Sequence, residues 1–322
     1  MSSLYRFLVF VLAVAMVLPP FSEARDFSVE RFYFPGYDGA DISAMLYVPS
    51  EGSAHPAIIL YHGVTATKET MIEFAENFAE NGFVVLAYDH RSHGESTGDF
   101  TWEGMLEDSL TALDIVRGRD DVDSDRVSLM GHSMGGMIAI MTAAVDGNIR
   151  AVVDLAAPET VNSFLLWVLR PLKGEFEPSE SDVIDAMNTA YGDVYGEHIE
   201  TTRGFEPVRV GGLHTTVREL MGIWAGSQLP RYKPLKQVED VEDILLLHGT
   251  EDNIVNPRDS EDMFDRAEKE KDIFYIDGAT HMSYLRYLGV KRDGSLWDNK
   301  NYDEEHARAV KDNALEWVER FM

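Results

Sequence analysis

Short apolar runs alternate with longer amphipathic segments along most of the chain. The runs are apolar nearly throughout rather than at every second position, which is typical of parallel strands that helices cover on both faces. The chain is therefore predicted to form an α/β fold with a mostly parallel sheet. The predicted parallel strands are 57–61, 83–88, 126–130, 151–155, 244–247 and 273–276, and the predicted helices are 68–81, 104–117, 258–269, 303–321 and the segment after residue 133.

Two further strand-like segments, 27–34 and 42–48, lie near the start of the chain. The turn residues between them predict an antiparallel hairpin at the edge of the sheet, which brings the predicted total to eight strands. Residues 26–322 are then predicted to form one large domain. The alternation stops over about 158–237, which we interpret as a mainly helical cap inserted above the carboxyl ends of the strands, where open α/β sheets bind ligands.

Residues 1–25 have a different character. Arg6 precedes an apolar run over 7–18, and small residues follow as far as Ala24. This order is typical of a secretory signal peptide cleaved after Ala24, and the alternative is an N-terminal membrane anchor, although the run is short for a spanning helix. The chain has no cysteine. We therefore expect a secreted or extracytoplasmic mature protein that folds without disulfides.

The chain is strongly acidic, with 28 Lys and Arg against 56 Asp and Glu and a formal net charge of −28. Such a surface repels polyphosphates, so nucleic acid is not expected as a partner. Histidines and carboxylates do not occur at zinc-binding spacings such as H-E-x-x-H. Neither a metal nor an organic cofactor is therefore expected.

Ser133 lies between Gly131 and Gly135, directly after a predicted strand and before a predicted helix. A sharp turn from strand to helix needs these glycines, because a side chain at either position would collide with neighbouring backbone. The turn exposes the Ser133 hydroxyl as a candidate nucleophile. It also places the Met134 amide at a helix N-terminus, where unpaired N–H groups favour a developing negative charge.

A second donor for that charge is expected from the loop after the strand at 57–61. The amide of Val64 is the predicted donor, and the alternative is that Gly63 only ends the strand. Together the Met134 and Val64 amides would form an oxyanion hole.

A serine hydroxyl needs a base, and the base needs a carboxylate that orients it. Asp252 follows the apolar strand at 244–247 and is the predicted acid, with Glu251 as its alternative. His281 follows the strand at 273–276 and is the predicted base. The other histidines are interpreted as structural; among them, His248 ends a strand, His90 and His93 lie in a turn, and His198 and His306 have polar surroundings.

Four apolar or aromatic residues are candidates for contact with a substrate. Met282 and Tyr284 lie beside His281, and Trp167 and Trp224 lie in the predicted cap. For the two tryptophans, the alternative is that they pack the cap on the core.

Five stretches of this chain resemble the α/β-hydrolase superfamily, within which the serine esterases, lipases and S33-type peptidases are the nearest groups. The resemblance implies eight strands, helices on both faces, and a triad in the chain order Ser133, Asp252, His281. Residues 62–69 and 88–96 are most similar to feruloyl (cinnamoyl) esterases and monoacylglycerol-lipase-like enzymes. The matching stretches are 61–63 (YHG), 88–96 (YDHRSHGES), 131–136 (GHSMGG), 248–252 (HGTED) and 278–281 (GATH).

The expected activity is hydrolysis of a small-molecule carboxylic ester through an acyl-enzyme on Ser133. A peptidase or amidase of the same fold is the nearest alternative. An acyltransferase or peroxidase-like use of the same three residues, and a non-catalytic binding protein, are two more. The sequence leaves open the acyl group, the alcohol and the oligomeric state.

Overall fold

The computed structural model describes residues 26–160, 163, 207–210, 213–216, 232–290 and 294–322. The predicted signal segment, the two cap tryptophans and most of the predicted cap lie outside the described residues. Within the described ranges, no helix is both long and apolar enough to cross a membrane.

Eight strands form one sheet, in the order β1-β2-β4-β3-β5-β6-β9-β10. The first two are antiparallel to each other, and β2 is antiparallel to β4, whereas every pairing from β4 to β10 is parallel. This confirms the predicted mostly parallel sheet with an antiparallel hairpin at its edge. The strands are β1 (Phe27–Pro35), β2 (Asp41–Pro49), β3 (His55–Tyr61), β4 (Val84–Tyr88), β5 (Val122–His132), β6 (Val152–Leu155), β9 (Asp243–Gly249) and β10 (Glu270–Ile276).

Helices cover both faces of this sheet, which is why its central strands are apolar throughout. On β3, Ile59 packs into the cluster formed with the helices at 102–117 and 134–146, while its neighbours Ile58 and Leu60 pack into the cluster formed with the helices at 72–80 and 304–320. All three side chains are fully buried. The described helices are α1 (Ile72–Glu80), α2 (Trp102–Arg117), α3 (Met134–Asp146), α4 (Pro234–Gln237), α5 (Arg258–Arg266) and α6 (Glu304–Arg320).

Two hairpins outside the main sheet were not predicted. β7 (Pro207–Val210) pairs with β8 (Leu213–Thr216) inside the predicted cap, and β11 (Tyr287–Val290) pairs with β12 (Leu296–Asp298) after the last parallel strand. The predicted helix at 68–81 is also divided, because Lys68–Met71 forms a 3₁₀ turn ahead of α1.

The entry to the predicted cap and its exit lie side by side. The Leu235 amide donates a hydrogen bond to the Glu159 carbonyl, with 3.1 Å between N and O. The Glu159 amide and the Ser163 hydroxyl both donate to Asp259 on α5. The two ends of the 158–237 segment therefore lie next to each other, at the edge of the sheet where β6 and β9 end.

Candidate active site

Ser133 forms a sharp turn between β5 and α3. Its backbone angles are φ 55° and ψ −121°, a region that residues other than glycine rarely adopt. A Cβ at Gly131 would lie 2.1 Å from the Gly135 carbonyl oxygen, and one at Gly135 would lie 2.2 Å from the Tyr61 carbonyl oxygen. Both contacts are with backbone, so only glycine fits at these two positions. The predicted strand, turn and helix around Ser133 are present.

Asp252 and His281 form a buried hydrogen-bonded pair. The His281 Nδ1 lies 2.7 Å from the Asp252 Oδ2, and the Asp252 Oδ1 accepts the amides of Ile254 and Val255, each at 2.8 Å. The carboxylate acceptor keeps the proton of a neutral His281 on Nδ1, which leaves a lone pair on Nε2. The rival acid Glu251 is exposed, and Asp252 is therefore the carboxylate that orients this imidazole.

The charge of the Asp252 carboxylate is well stabilised. Burial opposes ionisation, but the nearby imidazoles of His281 and His248 outweigh it and hold the pKa of Asp252 below its ordinary value. An acid that stays ionised is suited to stabilising a charged imidazolium on His281.

His132, the residue before Ser133, ties the His281 loop to the nucleophile turn. Its Nε2 donates to the His281 carbonyl oxygen at 3.0 Å, and the two rings pack with their centroids 4.6 Å apart. Burial, followed by the charge of His281, lowers the pKa of His132, which therefore stays neutral. This contact brings the His281 loop to the same end of the sheet as Ser133.

The loop after β3 also packs on the nucleophile turn. A Cβ placed on Gly63 would lie 3.3 Å from the Ser133 Cβ and 3.1 Å from the His132 Nδ1. The backbone leading to Val64 therefore passes directly beside Ser133. Met134 is the first residue of α3, where amides have no partner within the helix. The two predicted oxyanion donors thus lie on elements that meet at Ser133.

Buried polar groups hold this loop in place from behind. The His62 Nδ1 donates to the Gly63 carbonyl oxygen at 2.7 Å, and its Nε2 accepts the His90 amide at 3.0 Å. Burial, with the charges of His90 and His93 added, lowers the pKa of His62 well below its ordinary value. The ring is therefore a neutral connector between the loops after β3 and β4.

Lys68 makes a second connection between the same two loops. Its ammonium lies 2.8 Å from the Asp89 Oδ2, 3.0 Å from the Glu95 Oε2 and 3.3 Å from the Glu69 Oε1. The Lys68 side chain is 1% exposed and that of Asp89 is 0% exposed. The ammonium charge is thus enclosed with the carboxylates of Asp89 and Glu69, whereas the Glu95 side chain is 59% exposed.

The predicted substrate contacts are only partly described. Met282 and Tyr284 are both buried, and Tyr284 packs edge to face on His132 with the ring centroids 5.7 Å apart. Their packing belongs to the core on the α1 and α6 side of the sheet, and contact with a substrate stays a prediction. Trp167 and Trp224 fall outside the described residues.

Three residues of this region were missed from the sequence: His132, His248 and Lys68. His132 directly precedes Ser133, and His248 is the second-to-last residue of β9. A histidine at the end of a strand has no sequence pattern that would mark it as part of a site. His248 Nε2 lies 3.2 Å from the Asp252 Oδ2, so it contacts the predicted acid directly. Across the ranges that the structure covers, no group of three or more His, Cys, Asp or Glu residues could hold a metal ion.

Comparisons with known proteins find a partial match to one family model and several distant relatives. The model of the family described as serine aminopeptidase, S33, matches residues 52–183. The quorum-quenching protein AidA of Acinetobacter baumannii is 27% identical over 220 residues, which cover 64% of this chain and 69% of that protein. A polyketide transferase of Aspergillus fumigatus is 26% identical over 283 residues, covering 81% of this chain and 94% of the transferase.

A solved structure supports the predicted fold. Est1E from Butyrivibrio proteoclasticus, with ferulic acid bound, aligns with a TM-score of 0.59 at 21% identity and covers 89% of this chain and 99% of its own. Together with the strand order of the sheet, this alignment confirms the predicted fold. The chain has the α/β-hydrolase fold.

Proposed function

We propose that the protein hydrolyses carboxylic esters through an acyl-enzyme formed on Ser133. The observation that carries the proposal is the buried hydrogen bond between His281 and Asp252, in a loop tied through His132 to the turn that bears Ser133. A serine on such a turn, a base and an orienting acid are the groups that acyl transfer needs.

In the proposed mechanism, the Ser133 Oγ attacks the ester carbonyl while the His281 Nε2 accepts its proton. Asp252 stabilises the imidazolium that forms. The negative charge on the former carbonyl oxygen is stabilised by the amides of Met134 and Val64, and the loss of one such donor costs about 2.7 to 4 kcal/mol. His281 then protonates the leaving alcohol. Water, deprotonated by the same imidazole, attacks the acyl-enzyme and releases the acid.

An ester is preferred to an amide as the proposed substrate because of the relatives. The fold neighbour Est1E binds ferulic acid, the acid released from feruloyl esters. The matching family model is described as serine aminopeptidase, S33, so amide cleavage is the main alternative. A polyketide transferase is similar to this chain over 94% of its own length. Transfer of the acyl group to an acceptor other than water is therefore a second alternative.

The first experiment combines a fluorophosphonate probe with paired substrates. The wild type is expected to be labelled and to hydrolyse p-nitrophenyl esters faster than the matching p-nitroanilides, and Ser133→Ala to lose both labelling and turnover. Aliphatic and hydroxycinnamoyl esters would then define the acyl group. Faster anilide cleavage would favour a peptidase, and ester products formed with added alcohols would favour a transferase. A folded wild type that is neither labelled nor active would refute an enzymatic role for Ser133.

A further inference from the structure

His248 makes a second contact with the predicted acid. It lies near the end of β9 and is fully buried. Its Nε2 lies 3.2 Å from the Asp252 Oδ2 and 3.3 Å from the Val255 carbonyl oxygen. Both neighbours are acceptors, so the Nε2 carries the proton. The His248 Nδ1 lies 2.7 Å from the Ser260 Oγ on α5, within hydrogen-bond distance.

The Asp252 carboxylate therefore accepts three hydrogen bonds and has a fourth ring nitrogen close by. The Oδ1 accepts two backbone amides and the Oδ2 accepts the His281 N–H. The His248 Nε2 lies 3.2 Å from the same Oδ2 and 3.3 Å from the Val255 carbonyl oxygen, so its N–H is shared between these two acceptors. These contacts engage both oxygens, which restricts the rotation of the carboxylate. The negative charge on the Oδ2 therefore interacts with both His281 and His248.

We propose that His248 is a positioning residue of the triad: its Nε2–H, shared between the Asp252 Oδ2 and the Val255 carbonyl oxygen, holds that carboxylate toward His281 and sets the pH above which the triad is active. This rests on the proposed function. The expected sign follows from the shared charge. Without the His248 donor, more negative charge remains on the Oδ2 and stabilises the His281 imidazolium. His281 would then lose its proton at a higher pH, and activity would begin at a higher pH.

Other titratable groups face these two residues from several elements. Asp154 on β6 and Asp259 on α5 act on His248 through their charges, and His132 on β5 acts on both imidazoles. Tyr284 faces Asp252 from the loop after β10. These groups are unchanged in variants at position 248, so a comparison of such variants isolates the contribution of the His248 hydrogen bond.

The test compares two side chains of similar length at position 248. His248→Gln keeps an N–H donor, and His248→Met removes it. In His248→Met the acid limb of the kcat/KM profile for a p-nitrophenyl ester is expected at higher pH, with kcat reduced about tenfold, the effect of one hydrogen bond, and KM little changed. In His248→Gln the acid limb is expected to return toward the wild-type position.

A merely structural role would give a different result. Equal changes in the Gln and Met variants, or a wild-type acid limb in a folded His248→Met protein, would overturn the proposal. If His248→Met does not fold, Ser260→Ala decides, because it removes the hydroxyl that orients the His248 ring. A smaller upward shift of the acid limb is expected there, and an unchanged limb would count against the proposal.

A readout without turnover separates this proposal from the proposed function. The low-field proton NMR resonance of the His281 Nδ1–H reports the ionisation of that ring directly. A His281 titration that moves upward in His248→Met supports the positioning role, even if the wild type hydrolyses no ester. An active wild type whose His281 titration is the same in both variants would refute the positioning role alone.

Discussion

At the scale of single residues, Ser133 combines a predicted catalytic role with a strained backbone. Its φ of 55° with ψ of −121° lies in a region that costs a side-chain-bearing residue about 1–3 kcal/mol. Ser133→Gly is therefore expected to unfold at higher urea concentration than Ser133→Ala, although both lack the hydroxyl. At ordinary positions the order is the reverse, since glycine is less stable than alanine by roughly 0.5–1 kcal/mol. A Gly variant less stable than the Ala variant would show that the turn stores no strain.

The sequence predicted the residues whose signal is local. Ser133 has flanking glycines, and Asp252 and His281 each follow directly after an apolar strand. Asp252 and His281 form a hydrogen bond because they follow two strands of a parallel sheet, whose carboxyl ends lie at the same edge. His248 was interpreted as a structural residue because its contact with Asp252 depends on how the loop after β9 folds back.

At the scale of elements, long apolar strands were predicted well and short ones were missed. Each predicted parallel strand is present in the sheet, with its ends moved by a few residues. β12 has only three residues, and β8 (LHTT) has a single apolar one, so neither offers an apolar run or a clear alternation. Such hairpins are specified by contacts with the rest of the fold rather than by their own pattern.

The 3₁₀ turn Lys68–Met71 could not be foreseen for a related reason. A lysine in a predicted amphipathic helix is expected on the solvent side, yet all four residues of the turn are buried. The ammonium is placed there by carboxylates from three positions of the chain, namely Glu69, Asp89 and Glu95. The sequence shows these charges but not their convergence.

Removing the Lys68 ammonium should therefore destabilise the loop that carries Val64. Lys68→Met leaves the buried Asp89 carboxylate without its cation, which costs about 3–5 kcal/mol in comparable buried pairs. We expect a lower free energy of unfolding and reduced ester turnover. Arg31→Met is the matched control, because Arg31 contacts Glu69 at 3.4 Å with its side chain 57% exposed, and such pairs contribute about 0–1 kcal/mol. Similar losses in both variants, measured by urea unfolding, would contradict this assignment.

At the scale of the whole molecule, the net charge of −28 makes the state of the buried acids important. Most buried aspartates have a cation or several donors close by. Asp89 contacts Lys68, Asp108 contacts Arg91 at 2.8 Å, and Asp252 contacts two imidazoles. Asp154 differs, because its Oδ1 accepts only the Ala157 amide and its Oδ2 has no partner among the residues that the structure covers.

Burial raises the pKa of Asp154 to about 7, against the opposing effects of His248 and the Ala157 amide. In the unfolded chain the same group titrates near about 3.9. Between these two values the folded protein binds a proton that the unfolded chain has lost. The stability that this proton contributes is fully present below about pH 4 and is lost as the pH rises through 7.

Asp154→Asn keeps this position neutral at every pH. As the pH rises from 5 to 8, the wild type is expected to lose the stability that this proton contributes, and the variant is not. The difference in free energy of unfolding, variant minus wild type, should therefore increase by on the order of 3 kcal/mol, because two pH units separate pH 5 from the folded pKa of about 7. Urea unfolding at both pH values measures the difference. Asp265→Asn, on the exposed side of α5, controls for the change in net charge and should alter stability by less than about 0.5 kcal/mol at either pH. Parallel stability curves for the wild type and Asp154→Asn would mean that Asp154 is ionised in the folded protein across this range.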